Sequence, residues 1–150
     1  MHLRVRVLLA FLALPGVVAF VVPALLADVV THLHRVRPAG LVPFVLGCAL
    51  LVWCVRAFNA AGKGTLAPWD PPRHLVIGGP YQWSRNPMYV AVVLVLAGWA
   101  TMLGTRTLWL YACGVAVAFH LRVTWFEEPR LLGRHGEAWR EYRNHVRRWL

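Results

Sequence analysis

Gly79-Pro-Tyr-Gln-Trp-Ser-Arg-Asn-Pro-Met-Tyr89 sets a turn, three aromatic rings, an arginine and an asparagine directly before a long apolar run. No acidic or basic residue occurs from Asn86 to Thr105. Pro87 suits the first turn of a helix, where its missing N–H has no partner to lose. That helix is expected to end near Met102. The connection Leu103-Gly-Thr-Arg106 is so short that the next apolar stretch, Thr107–Leu121, must return alongside it as an antiparallel neighbour. This stretch lengthens to Phe126 if His120 and Arg122 lie at an interface. The hairpin so formed sets Arg85, Asn86 and Tyr89 roughly level with Arg122, Glu127 and Glu128.

The same pattern extends toward the N-terminus. The chain is 59% hydrophobic and only 15% charged over 150 residues, less charge than a soluble domain of this size usually carries. Val7–Ala27 and Ala39–Val55 are also free of charged groups other than at their margins, and about twenty apolar residues suffice for a helix to cross a bilayer. The expected fold is therefore all-α: an integral membrane protein with four transmembrane helices, over about 5–27, 39–59, 87–103 and 107–126, followed by an amphipathic tail over 128–150. All of it is read as one domain, 1–150. Pro15-Gly16 and Pro23 should bend the first helix. The opening Met-His-Leu-Arg-Val-Arg could begin a signal peptide, but its apolar run is longer than a signal core and more membrane segments follow. Cys48, Cys54 and Cys113 lie inside apolar segments and read as packing residues. His32 and His34 lack a third ligand, so no metal is expected.

A net charge of +10 raises the question of nucleic acid. Its distribution answers it. Four crossings put Arg4, Arg6, Arg56, Lys63, Arg73, Arg85, Arg122, Arg130, Arg134, Arg140, Arg143, Arg147 and Arg148 on one side, thirteen of the sixteen Lys and Arg, leaving Arg35, Arg37 and Arg106 for the other. The positive-inside rule makes the crowded side cytoplasmic, with both termini there. The expected location is a bacterial inner membrane, and the basic face suits anionic lipid headgroups; no nucleic-acid partner is needed.

Ala60–Pro80 holds four glycines and four prolines and reads as a loop. Trp69 and Asp70 within it are candidates for interfacial anchoring and a local turn. Beyond Pro129, Leu131, Leu132, Ala138, Trp139, Tyr142, Val146 and Trp149 recur mostly at steps of three, four or seven. Such a basic helix with an apolar stripe can lie on a membrane or fold over a site.

Glu127 and Glu128 are two of only six acidic residues, and they stand together at a membrane boundary. A carboxylate there can bind a cationic group while Arg85 or Arg122 binds an anionic one, and an amino-acid moiety carries both. Asn86 adds hydrogen-bonding capacity, and Tyr81, Trp83 and Tyr89 can stack on a planar base or contact a cation. No Gly-x-Gly-x-x-Gly, phosphate-binding loop or serine-nucleophile motif is present. A nucleotide-containing cofactor would have to be held by something other than a Rossmann domain.

The block Arg73-His-Leu-Val-Ile-Gly-Gly-Pro-Tyr-Gln-Trp-Ser-Arg-Asn-Pro-Met-Tyr89 resembles the central motif of the isoprenylcysteine carboxyl methyltransferase and phospholipid methyltransferase superfamily. Glu127-Glu128-Pro-Arg-Leu-Leu-Gly-Arg-His-Gly-Glu-Ala-Trp-Arg-Glu-Tyr142 resembles its C-terminal acidic motif and the Gly-Glu element that follows. The resemblance implies a membrane enzyme that transfers a methyl group from S-adenosylmethionine to a lipid-like acceptor, either an isoprenylcysteine-type carboxylate or a phospholipid-type amine. Carried over by position, the cofactor contacts are Arg73, His74, Leu75, Val76, Tyr81, Asn86, Pro87, Met88, Tyr89 and Glu127. Arg85, Arg122 and Glu128 are the groups expected at the reaction itself. Two positions depart from the pattern: Asn86 stands where eukaryotic members have histidine, and Trp139 replaces a tyrosine. Asparagine can hydrogen-bond like neutral histidine but cannot carry charge, so Asn86 is expected to bind and not to shuttle protons. The competing readings are an NADPH-dependent membrane reductase of the sterol-reductase type, which shares the Arg-x-x-x-Tyr helix start, and a non-catalytic membrane protein.

Overall fold

In the computed structural model residues 12–30, 36–60 and 75–150 are described, and every regular element among them is helical. A widened, π-type segment Leu12–Val21 leads into α1 (Val22–Val30). A 3₁₀ turn, Pro38–Gly40, leads into α2 (Leu41–Ala60), and a second, Gly79–Gln82, precedes α3 (Pro87–Leu103). Next come α4 (Arg106–Arg122), a second π-type segment Val123–Glu127, and α5 (Glu128–His145). Residues 5–11 of the expected first helix, His32, His34, Trp69, Asp70, Arg73 and His74 lie outside the described residues.

Two stretches, Pro38–Phe58 and Arg106–His145, are long and apolar enough to cross a membrane. The expectation was four. Pro15–Ala27 and Pro87–Leu103 are apolar but shorter. Most side chains of the two long stretches face outward: Val42, Val45 and Leu46 on α2, and Leu110 and Val117 on α4, are exposed.

The helix expected over 107–126 and the tail expected over 128–150 join without a gap: α4, the second π-type segment and α5 follow one another, with a kink at Gly136 (φ 52°, ψ −118°). Both π-type segments end two residues before a proline, Pro23 in one case and Pro129 in the other. A proline ring clashes with the carbonyl four residues earlier, and a widened turn relieves that clash without breaking the helix. At Pro23 the missing N–H leaves carbonyls of the preceding turns without their helical donors. Trp99 Nε1 donates to the Ala19 carbonyl at 3.1 Å, and the Tyr111 hydroxyl to that of Val18 at 3.0 Å. In an apolar surrounding such substitutes are needed because water cannot supply them.

Close approach of α2 and α3 forms the centre of the bundle. Gly47 lies against the backbone of Ala91 and Val95, and Gly98 against Phe44, so the two helices run antiparallel with their backbones nearly touching. Small residues permit this approach, and dispersion contacts then hold the pair. Leu51, Ala91, Val92, Val95, Leu96 and Ala112 fill the interior beside it, with Ala19 from the first segment. The α3–α4 connection is tight because Gly104 adopts a left-handed conformation (φ 64°), and its N–H bonds the Ala100 carbonyl at 2.9 Å.

A Cβ on Gly98 would meet Phe44 Cβ at 2.6 Å, whereas one on Gly114 meets nothing within 4 Å. Gly98→Ala should therefore destabilise the protein by about 1–3 kcal/mol through overpacking. Gly114→Ala should be neutral or stabilise by up to about 1 kcal/mol through the unfolded chain. Thermal unfolding of the two variants in detergent checks the contrast.

Candidate functional site

The segment before α3 is pinned from two sides. On one, Tyr81 is buried against Cys54, Val76 and Phe58, its ring 5.4 Å from that of Phe58, with Met88 packed beside the same group. Gly79 takes a left-handed conformation (φ 63°) that turns the chain over Trp53 and Ala57 of α2. Trp83, exposed, meets Trp53 edge to face at 5.3 Å. On the other side lies the end of the chain. The Arg85 N–H donates to the Arg147 carbonyl at 2.8 Å, and Ser84 Oγ and Asn86 Nδ2 both donate to the Arg148 carbonyl, at 3.3 and 3.0 Å. Ser84 Oγ also accepts the Asn86 N–H at 3.1 Å. The Tyr142 hydroxyl donates to the Tyr81 carbonyl at 2.6 Å.

Glu127 and Glu128 follow one another in a helical backbone, so their side chains diverge by about 100°. Each therefore serves a different set of partners. Glu127 takes the hydroxyl of Tyr89 and Arg122 Nε (2.8 Å) on the same oxygen, Oε1. The Tyr89 ring is itself held by stacking on Phe119 at 4.3 Å. The Glu127 side chain is 30% exposed.

Glu128 is the closed one. Its side chain is 10% exposed and lies between two guanidinium groups. Arg148 engages both oxygens, Nε to Oε1 at 2.9 Å and Nη2 to Oε2 at 2.8 Å. Arg85 Nη1 stands 3.0 Å from Oε1 but off the hydrogen-bonding direction, and both Nε and Nη1 of Arg85 are buried with no hydrogen-bond partner among the described residues. The Arg85 guanidinium lies 5.6 Å from the centre of the Trp139 ring, whose own Nε1 is buried and unpartnered. Burial holds the Arg85 pKa below the ordinary arginine value; Glu128 works against this, and the neighbouring charges of Arg148 and Arg143 add to it. The hydrogen bond to Glu128 moves Arg148 the other way.

The structure thus gathers most of the residues singled out from sequence into two adjoining groups. Tyr89, Arg122 and Glu127 form one; Arg85, Asn86 and Glu128 form the other with Arg148 and Trp139. Val76, Tyr81 and Met88 pack beneath the segment, Pro87 is buried in the first turn of α3, and Leu75 is partly buried just before Val76. Arg85 and Glu128, both expected at the reaction, face one another, and the more open carboxylate is Glu127. Arg148 and Ser84 were not singled out at all. Arg148 was one basic residue among many, twenty positions from the carboxylate it grips, and no spacing rule links them.

Removing the Glu128 charge would leave two guanidiniums facing each other in a mostly dry site. Glu128→Gln should cost about 3 kcal/mol of stability, whereas Glu127→Gln, at a more solvated pair, should cost less than about 1 kcal/mol. Denaturation of each variant in detergent measures the difference.

Comparison with known proteins accords with this arrangement. The sequence model of the phospholipid methyltransferase family matches residues 36–138, which include α2, α3, α4 and both glutamates. Phosphatidylethanolamine N-methyltransferase B of Dictyostelium discoideum is 29% identical over 94 residues, 59% of this chain and 44% of that protein. An uncharacterized protein of Haemophilus influenzae is 37% identical over 67 residues, 42% of this chain and the whole of that one. The chain thus spans less than half the length of the Dictyostelium relative. No solved structure matches it significantly. The match takes in more than half of the chain, which therefore belongs to the phospholipid methyltransferase family.

Proposed function

We propose that the protein is an integral-membrane methyltransferase that uses S-adenosylmethionine to methylate the amine of a phospholipid headgroup. The observation that carries this reading is the pairing of an accessible carboxylate with a buried, unspent guanidinium in one place. Glu127 has its Oε1 committed to Tyr89 and Arg122, which fixes the carboxylate while Oε2 accepts none of the hydrogen bonds described. That oxygen suits the ammonium of the methionine moiety. Arg85, with donors lacking acceptors and a side chain 9% exposed, suits its carboxylate. When bound, the cofactor supplies an electrophilic methyl group on a sulfonium.

The chain's own residues then have three tasks. Glu127 and Arg85 bind and orient the amino-acid portion. Tyr89 and Arg122 keep Glu127 in one rotamer, so that little ordering remains to be done on binding. The apolar surroundings on α3 and α4 exclude water from a displacement that gains from dehydration. The deprotonated headgroup amine would be the nucleophile toward the methyl group that the bound cofactor supplies as an electrophile, while Glu127 and Arg85 would hold the donor in line with it. Asn86, whose amide is engaged with the Arg148 carbonyl, has a binding role in this scheme and no protonic one.

The family's description and the activity named for the Dictyostelium relative support an amine acceptor over a carboxylate. Four crossings, with Pro15–Ala27 and Pro87–Leu103 completing the bundle and the basic side cytoplasmic, would put the site at the inner surface, where the cofactor is available. The lipid would enter laterally, past the exposed apolar side chains of α2 and α4, with its headgroup at the level of Glu127.

Binding by purified protein in detergent, with S-adenosylmethionine and NADPH compared, tests the reading against the reductase alternative. S-adenosylmethionine should bind and NADPH should not, and Glu127→Ala should weaken binding by tenfold or more. Labelled methyl should appear in phosphatidylethanolamine when vesicles of that lipid are supplied. Wild-type protein that ignores S-adenosylmethionine would overturn the proposal.

A further inference from the structure

Residues 147–150 lie beyond the part of the chain that the family model matches, yet they are bound to the centre of the site. Arg147 and Arg148 give their carbonyls to Ser84, Arg85 and Asn86, a backbone bridge links Ser84 with Arg147, and Trp149 stacks on His120 of α4 at 6.1 Å. The strap therefore touches both helix ends that carry the site residues.

Arg148 has a more specific effect. Glu128 offers two carboxylate oxygens, and Arg148 takes a hydrogen bond to each. Arg85 lies as close, at 3.0 Å, but at an angle that leaves Nη1 without a hydrogen bond, and its Nε is likewise unpartnered. One carboxylate cannot satisfy two guanidiniums in the bidentate geometry that makes such pairs strong. Arg148 has won that competition. The loser is a buried cation with donors to spare, stacked by Trp139, whose Nε1 also lacks a partner.

We propose that Arg148 is a positioning residue: by saturating Glu128 it keeps Arg85 available to bind the carboxylate of the cofactor's amino-acid moiety. In its absence Glu128 turns its oxygens to Arg85, and the anion site is neutralised from within. This rests on the functional reading above and adds to it a positioning part for a strap outside the family-matched region.

The test compares S-adenosylmethionine with its decarboxylated form, which keeps the sulfonium, the ammonium and the adenosine but has no carboxylate for Arg85. Calorimetric titration of the full chain in detergent gives the ratio of the two affinities, and a variant's overall folding defect cancels in that ratio. Wild-type protein should prefer S-adenosylmethionine by tenfold or more. In Arg148→Ala the ratio should fall to within about threefold of unity, chiefly by loss of affinity for S-adenosylmethionine. Arg148→Lys, which can make one contact but no fork, should fall between. Arg143→Ala removes an exposed charge that Arg85 also senses but that bonds to neither glutamate, and its ratio should stay within about twofold of wild type. An unchanged ratio in Arg148→Ala, or an equal fall in Arg143→Ala, would overturn the positioning role. Wild-type binding of both ligands without preference would overturn the assignment of Arg85 to the carboxylate. Wild-type failure to bind either would overturn the functional reading itself, and this inference with it.

Discussion

Glu128 can be buried only because guanidinium groups reach it from two directions. A carboxylate taken from water loses several kcal/mol of solvation, and attraction repays this only where partners and hydrogen bonds are well placed. Arg85 comes from the segment before α3, and Arg148 from the far end of α5. One buried charge thereby ties together the start of α3, the junction of α4 with α5, and the strap. The Tyr142 bond to Tyr81 and the strap carbonyls on Ser84, Arg85 and Asn86 then close the same junction through the backbone.

The position of Glu128 depends in turn on the helical backbone continuing past Pro129. A helix ended there would have left Glu128 at a solvated end and the tail free to lie elsewhere. The widened turn Val123–Glu127 lets α4 continue into α5 past the proline. It also sets the two glutamates at different angles, one toward Tyr89 and one toward Arg85. Further along, Gly136 departs from helical geometry (φ 52°). Beyond that kink, Trp139 is buried against Arg85, and Tyr142 reaches the Tyr81 carbonyl.

The parts of this arrangement that were legible in the sequence are those governed by local or periodic rules. An uncharged run opened by Pro87, a four-residue connection and a second apolar run suffice to specify a hairpin, and a hairpin brings its two ends together. That sets Arg85, Asn86 and Tyr89 level with Arg122, Glu127 and Glu128, while side-chain direction decides that Tyr89 meets Glu127 and Arg85 meets Glu128. Hydropathy measures composition, not where regular helix begins and ends, so among the described residues two of the four apolar stretches form helices of spanning length and two form shorter ones. That the helix passes Pro129 depends on whether the preceding turn can widen, and no local pattern encodes that. Arg148 was invisible for a different reason. Its pairing with Glu128 spans twenty residues and a kink at a glycine, and in a chain with sixteen Lys and Arg any of several could have filled the place.

The two glutamates show why a doubled acidic motif is more useful here than a single carboxylate. A lone acid at this boundary would face conflicting demands: burial to bind the arginines that fix the fold, and openness to receive a cationic ligand. Adjacent positions on a helix separate the tasks by angle, since about 100° of rotation is enough to send one side chain inward and leave the other near solvent. Glu128, 10% exposed, meets the first demand, and Glu127, 30% exposed and anchored through one oxygen, stays nearer solvent, which is what the proposed binding of an ammonium group would need. The arginines differ in the same way. Arg122 and Arg148 hydrogen-bond the carboxylates they hold, whereas Arg85, the most buried of the three, faces Glu128 as an ion pair without a hydrogen bond from Nε or Nη1.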